Sequence, residues 1–454
     1  MITFKNIDRF SIRYFLLYLY VRFAFRHIYL KQYRAVGLEN IPKSGEPLVI
    51  VCNHQSGLND ALAILFMFRD YRQPVFVARG DMFRRTFIAR LLRFVKIMPA
   101  FRVMDGDNPL LNYNLFDDFA DVLGNGHSLM MFPEAGHEST YTLGRFRKGF
   151  ARVAFHAEKK SGYTLGLKIL PVANHYSGYF NFREKLAMVV GKPVELSEFL
   201  PLYRENPEKA ILALTKSMHD KVGDLMLNIK DREQYHLYNF IRAIYERRYA
   251  QRMGWKASYF PNMLRASKAI ITRLEGLHLS SLKQQVRLFE KAQLLKEGLE
   301  KLRLRSWLFE RRQDWRRLVL GTVSMVCLFP LFFGGYLFNI IPFSAPRLVT
   351  GKLKDAMLRP TVAFGASVLI TFPVFYLLLA FAGGFITGSV TATLLFLISL
   401  PAGLIFFDAY RKHFVKLRGR WRFLLLRRQK NKLFEQTQDL FVQVTAEMDV
   451  IMGL

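Results

Sequence analysis

Residues 51–60 read VCNHQSGLND, and the path of the chain through them decides the fold. An apolar run, Leu48–Cys52, stops at Asn53; a histidine follows, and six residues later an aspartate. Helical spacing then sets in with DALAILFMF (60–68). A short buried strand that ends in a polar turn and continues as a helix is the opening step of an α/β domain. Asn59 or Asp60 also suits a helix N-cap. The ten residues alone therefore leave open whether His54 and Asp60 belong to a turn or form a base with its carboxylate partner.

Working outward, strands are expected at 47–52, 74–78, 128–132, 168–173 and 187–190, where short apolar runs are bounded by turn residues. Between them, MFRRTFIARLLRFV (82–95) and NLFDDFADVL (114–123) carry helical spacing, and Phe83, Phe87, Ile88, Leu91 and Leu92 share one face. GLENIPKSGEP (37–47) is the loop leading into the first of these strands. An α/β domain is thus expected over 37–200. From Pro201 the character changes to long, charged, Gly-poor helical stretches, read as a connector over 201–316.

The charge balance narrows the partners. Lys and Arg total 66 against 36 acidic residues, a formal excess of +30, with 15% aromatic residues. That combination excludes a low-hydrophobicity disordered chain and leaves an anionic membrane surface or nucleic acid. Placement separates the two. LVLGTVSMVCLFPLFFGGYLFNIIPF (318–343) is uncharged, as are TVAFGASVLITFPVFYLLLAFAGGF (361–385) and TATLLFLISLPAGLIFF (391–407), and each is long enough to reach across a bilayer. Basic clusters flank them: Arg311, Arg312, Arg316 and Arg317 before the first; Arg347, Lys352, Lys354 and Arg359 after it; Arg411, Lys412, Lys416, Arg418 and Arg420 after the last. The positive-inside rule puts all three clusters in the cytoplasm. A hairpin satisfies it for the last two segments. For 318–343, with Pro330, Gly334 and Gly335 at its middle, a bent or re-entrant segment satisfies it, and a single span with one positive loop outside is the alternative. Membrane segments are therefore assigned to 317–410 and a basic amphipathic tail to 411–454; nucleic acid is set aside. Residues 1–36, apolar but interrupted by Arg13, Arg22 and Arg26, are read as an amphipathic membrane-associating helix, with Phe15, Leu16, Leu19 and Phe23 on its apolar side. The competing reading is an ordinary buried helix. Two cysteines, Cys52 and Cys327, are too few for a disulfide framework.

Four polar or glycine-bearing stretches fall at element ends of the α/β domain: NHQSGLND (53–60), MPAFRVMDG (98–106), FPEAGHEST (132–140) with RFRKG (145–149), and LPVANHY (170–176). Ligands of open α/β sheets bind at such ends. Acylation of an alcohol needs a base for the hydroxyl proton, a carboxylate to orient that base, donors for an oxyanion, and cationic or N–H groups for a phosphate-bearing acceptor. His54, Asp60, Arg102 and the Gly136 turn supply these in turn. No spacing of Cys, His and Asp points to a metal, and no nucleotide-binding glycine loop is present.

The order of these stretches resembles the glycerophosphate and lysophospholipid acyltransferase superfamily, whose blocks run N-H-x4-D, an aromatic/Arg block, F-P-E-G and a later V-P block. The resemblance covers roughly residues 37–195. It implies an α/β acyltransferase domain followed by a helical connector and C-terminal membrane helices. It also implies transfer of a fatty acyl group from a thioester donor, acyl-CoA or acyl carrier protein, with no other cofactor. The acceptor would be a glycerophosphate-type lipid in phospholipid synthesis, lysophosphatidate first, glycerol-3-phosphate or another lysolipid next. His54 and Asp60 are the implied catalytic pair; Arg102, Glu134, Ala135, Gly136 and Lys148 are the implied substrate-binding residues. Three departures stand out. The usual spacing places the acid on Asn59, yet the aspartate is Asp60, which casts Asn59 as a helix cap or backbone ligand. No glycine precedes Arg102, and Ala135 stands where the family has glycine. Glu134 on its own reads as a loop brace, since a carboxylate repels a phosphate, and Lys148 as part of a basic face. A non-catalytic membrane scaffold that retains a decayed acyltransferase domain is the alternative those departures support.

Overall fold

The computed structural model describes the chain except residues 1–3, 102–111, 135, 137, 180, 311–312 and 354–357. It divides into two compact units, Met1–Asn228 and Ile229–Leu454.

The first unit is built on one eight-stranded sheet. Its strands are β1 (Gln32–Val36), β2 (Leu48–Cys52), β3 (Val75–Arg79), β4 (Ile97–Ala100), β5 (Ser128–Met131), β6 (Lys168–Tyr176), β7 (Lys185–Val190) and β8 (Val194–Glu195), in the spatial order β1-β7-β6-β2-β5-β3-β4, with β8 beside β6. Pairing is parallel except where β6 meets β7 and β8. All five residues of β2 are buried, as a strand covered on both faces must be. Val49 and Val51 point into one core with Leu129 and Ile169. Two prolines in strands fall where a missing N–H costs little. Pro99 is in the edge strand β4. Pro171 occupies the step between the β8-paired and β7-paired parts of β6.

Helices α1 (Ile12–Phe23), α2 (Leu58–Leu65), α3 (Thr86–Phe94), α4 (Asn112–Gly124), α5 (Gly149–Lys160), α6 (Leu200–Glu205) and α7 (Pro207–Leu225) complete the unit. In α5 the apolar positions Phe150, Ala151, Val153, Ala154, Phe155 and Ala157 are buried, while Lys159 and Lys160 close the last turn, where cations oppose the helix dipole. α7 starts at Pro207 with the Asn206 side chain accepting from Lys209 N, and its buried stripe Ala210, Leu214, Met218, Val222 repeats every four residues. That stripe joins the same core as β2. The α/β unit therefore runs past the expected boundary at 200, and α7, expected in the connector, belongs to it. Likewise β1, expected within the N-terminal helical segment, is an edge strand in register with β7, Gln32 opposite Lys185. The α1 helix buries Tyr14 and Tyr18 against the unit while Leu16, Leu19 and Phe23 face outward. Its buried side matches the ordinary-helix reading, and its other side is exposed. α3 departs from expectation: only Ala89 is buried, and Phe87 and Leu91 are exposed.

The second unit is helical throughout its described residues. α8 (Tyr235–Arg252), α9 (Phe260–Ser280), α10 (Leu282–Leu302) and, at the end of the chain, α16 (Lys432–Ile451) bury one another's apolar stripes. Gly298 of α10 lets Thr437 of α16 approach so closely that an added Cβ would lie 2.4 Å from its hydroxyl. Asp449 of α16 is held by Arg248 and by the Tyr245 hydroxyl at 2.6 Å.

Between them lie the apolar helices. α11 (Trp315–Cys327) and α12 (Phe329–Thr350) meet at a 51° bend. Pro330 stands in the first turn of α12, where its missing N–H and its restriction of the preceding residue break the helix. α13 (Arg359–Ala366) continues through a π-turn over 367–371 into α14 (Phe372–Thr387); α15 (Val390–Arg428) follows. Arg359–Thr387 and Val390–Arg428 are each long and apolar enough to cross a membrane, and the bent pair makes a third if it is one span. The expected division at 410/411 does not exist, because α15 runs unbroken from the apolar segment into the basic tail. Gly335 and Gly403 let α12 and α15 cross in backbone contact. Buried Asn339 donates to Leu400 O at 3.1 Å and accepts from the Tyr376 hydroxyl at 2.6 Å, tying α12, α14 and α15 together.

Candidate active site

The site lies at the carboxyl ends of three adjacent parallel strands, β5, β2 and β6. The chain leaves β2 at Cys52 and turns through 53–57. Asn53 clamps that turn to β6, donating to Asn174 O at 3.0 Å and accepting from Asn174 N at 2.8 Å. Gly57, at φ +52° and ψ −122°, caps α2 in a conformation that side chains disfavour.

This sharp entry carries Asp60, in the first turn of α2, back beneath the loop. Its carboxylate is completely buried and fully engaged. Oδ2 accepts from Gln55 N at 2.8 Å and Ser56 N at 2.7 Å, and lies 3.0 Å from His54 Nδ1. Oδ1 accepts from the Tyr176 hydroxyl at 2.7 Å and Asn174 Nδ2 at 3.3 Å. Because Oδ2 already accepts two backbone N–H groups, Nδ1 of His54 is the donor toward it, and in the neutral ring Nε2 is then the acceptor nitrogen. The imidazole stacks on Phe132 at 4.1 Å and 16° and is 18% exposed, accessible from outside the protein.

Asn59 faces elsewhere. It lies inside the first turn of α2, buried, with its amide donating to the Tyr29 hydroxyl at 3.2 Å and Ser56 Oγ at 3.1 Å. It is not the helix cap; Gly57 is. The six-residue spacing is thus accommodated by the tight turn, and the acid one position late meets the histidine in hydrogen-bond contact.

The loop after β5 is laced to the loop after β2. Glu134 accepts from His54 N and from Gly144 N, both at 2.7 Å, through different oxygens. Glu138 N donates to His54 O at 3.4 Å, Gln55 Nε2 to Thr140 O at 2.6 Å and Ser139 Oγ to Gln55 O at 3.1 Å. Glu134 is therefore a brace between the loop after β2 and the turn at Gly144, with both carboxylate oxygens engaged by backbone N–H groups. Burial pushes its carboxyl up from the usual 4.5 to about 7, against the two backbone donors that favour the charged form. Gly144 is required there, since a Cβ would lie 2.6 Å from Glu134 Oε2. Arg147 N donates to Pro133 O at 2.8 Å, which attaches the basic stretch 145–148 to the same loop. Lys148 is exposed and paired with Glu208 at 3.3 Å. Gly136 is exposed. Arg102 and Ala135 lie outside the described residues.

Asn174 and Tyr176 were not singled out from LPVANHY. Their two-residue spacing at a strand end, which puts both on one face, was the available signal. His175 points to the other face and packs against Tyr141 at 5.1 Å.

A histidine oriented by a buried carboxylate at the strand ends of an α/β sheet is an arrangement able to deprotonate a hydroxyl, and the sequence model of the Acyltransferase family matches residues 32–175. This unit belongs to the glycerophosphate/lysophospholipid acyltransferase superfamily. Among curated proteins, the chain is similar to 1-acyl-sn-glycerol-3-phosphate acyltransferase LPAT1, chloroplastic, of Arabidopsis thaliana, with 27% identity over 169 residues, 36% of this chain and 43% of that one. It is also similar to 1-acyl-sn-glycerol-3-phosphate acyltransferase BAT2, chloroplastic, of Brassica napus, with 29% identity over 118 residues, 26% of this chain and 32% of that one. The chain thus spans less than half the length of either plant relative. Among solved structures it is similar to the 1-acyl-sn-glycerophosphate acyltransferase PlsC of Thermotoga maritima, at 21% identity and a TM-score of 0.31 over 48% of this chain and 79% of that one.

Proposed function

We propose that this chain is a membrane-bound O-acyltransferase that moves a fatty acyl group from a thioester donor to a glycerophosphate-type acceptor. The observation that carries this reading is the His54 Nδ1–Asp60 Oδ2 contact of 3.0 Å in a domain of the acyltransferase family. His54 Nε2 takes the proton of the acceptor hydroxyl as its oxygen attacks the thioester carbonyl. Asp60 holds the ring and stabilises the imidazolium. Collapse of the tetrahedral intermediate expels the thiolate, which recovers the proton from His54. No acyl-enzyme forms, because the histidine has no Ser or Cys nucleophile assigned to it.

Lysophosphatidate is the favoured acceptor on the names of the plant relatives, with glycerol-3-phosphate or another lysolipid as alternative. Arg102, the Ala135–Gly136 backbone and Lys148 hold the acceptor's phosphate, Lys148 exchanging Glu208 for it. The donor is acyl-CoA or acyl carrier protein, both anionic and suited to a basic surface. The apolar helices cross the bilayer, with the catalytic unit and the basic flanks on the cytoplasmic side.

The test is acyl transfer by the purified full chain from acyl-CoA and from acyl carrier protein to a panel of these acceptors. His54→Ala and Asp60→Asn are expected to lower kcat by about 10²- to 10⁴-fold, and folded Asn59→Ala to retain activity. Equal rates in wild type and His54→Ala would sink the mechanism. Inactivity of the wild type with every pair would favour the scaffold reading.

A further inference from the structure

Helix α3 behaves unlike the other helices around the sheet. Phe87 is 79% and Leu91 50% exposed, with Met82 and Phe94 also outward. Arg84, Arg85 and Arg90 are exposed among them. α1 is held alongside. The Tyr14 ring packs edge-on against Phe94 at 6.3 Å and Phe4 against Phe83 at 5.9 Å. The Arg93 guanidinium donates to Lys5 O at 3.1 Å, and buried Lys96 donates to the carbonyls of Asp8 and Arg9 at 3.1 and 2.6 Å. α1 in turn exposes Ile12, Leu16 and Phe23, preceded by Phe10.

α1 buries Tyr14 and Tyr18, α3 buries Ala89, and each leaves phenylalanine and leucine outward, interspersed with arginines. An apolar surface of this kind marks an interaction site. Charge selects the partner. Residues 82–94 and 9–34 contain no acidic side chain, so a second copy of this face would bring arginine against arginine. An anionic lipid leaflet matches both features. Arginine heads meet lipid phosphates while their stems and the apolar side chains enter the acyl boundary.

We propose that α1 and α3 form a docking face that lies in the headgroup region of an anionic leaflet, with Leu16, Phe87 and Leu91 at acyl-chain depth. This contact does not depend on the acyl-transfer reading.

The test uses the full chain with Cys327→Ser, reconstituted in lipid nanodiscs. An environment-sensitive fluorophore is attached at Phe87→Cys, at Leu16→Cys, or at Leu212→Cys on the exposed face of α7 as the aqueous reference. In discs containing phosphatidylglycerol, the labels at 87 and 16 should be quenched by brominated acyl chains and roughly five- to tenfold less by iodide than the label at 212. Exchange for phosphatidylcholine, or Arg84, Arg85 and Arg90→Gln together, should restore iodide access at 87. Iodide access at 87 equal to that at 212 in anionic discs overturns the proposal. So does equal shielding in detergent without lipid, which would mean that protein covers the face. Shielding unchanged by lipid charge overturns the anionic selectivity.

Discussion

At the scale of single residues, the site is organised by Asp60 more than by His54. The carboxylate distributes its lone pairs among the imidazole, two backbone N–H groups, an amide and a phenol. Each donor helps to fix the carboxylate in the position from which it orients the imidazole. Tyr176→Phe removes one donor without changing shape. The carboxylate that orients His54 is then less firmly held, so kcat should fall by about tenfold with KM little changed. Stability should fall by about 1–3 kcal/mol for the lost bond to a charged group. A Tyr176→Phe protein that loses stability while its kcat stays unchanged would show that the phenol is structural only. The His54–Asp60 pair was legible because both residues sit in one ten-residue stretch. Tyr176 was not, because it comes from a strand more than a hundred residues away and reaches Asp60 only through the parallel pairing of β6 with β2.

Among elements, the strands that could be read were those buried on both faces, such as β2, whose side chains are all apolar. β1, QYRAV, lacks that signature. As an edge strand it is specified by its partner rather than by its own composition. β4 is four residues long and includes a proline, below what periodicity resolves. α3 misled for the opposite reason: its helical period is correct, but period alone does not say which partner the apolar face seeks. The brace after β5 makes an electrostatic prediction at this scale. The native state retains the Glu134 proton up to about pH 7, whereas the unfolded chain releases it near 4.5. The unfolded state therefore binds fewer protons between these values, and Glu134 makes the protein less stable as pH rises through that window, levelling off above it. Glu134→Gln should flatten this part of the profile. Thermal midpoints of both proteins from pH 4 to pH 8 would check it, and parallel curves would refute the assignment.

For the molecule as a whole, the divisions drawn from composition shifted by whole elements. Charge and glycine content change at Pro201, but the apolar stripe of α7 continues to serve the sheet's core, and burial decides where the unit ends. The apolar segments, by contrast, were legible from hydropathy, and the bend falls beside Pro330 as the helix-breaking residues implied. The packing among them depends on Asn339, which no hydropathy profile distinguishes from an isolated polar residue. Asn339→Leu should loosen α12 from α14 and α15 and lower stability in detergent by about 0.6–2 kcal/mol. An unchanged thermal midpoint would show that the Gly335–Gly403 crossing holds the helices by itself.

The pairing of β1 with β7 also has a consequence in time. During synthesis, the apolar residues of α1 and the whole of β1 emerge early, yet the strand that completes their edge is the seventh of eight. The central strand β2 likewise waits for β5 and β6. Closure over such sequence separations is slow, and unpaired strands and apolar surface stand open meanwhile. A nascent chain of this protein therefore carries β1 without its sheet partner until β7 has been made.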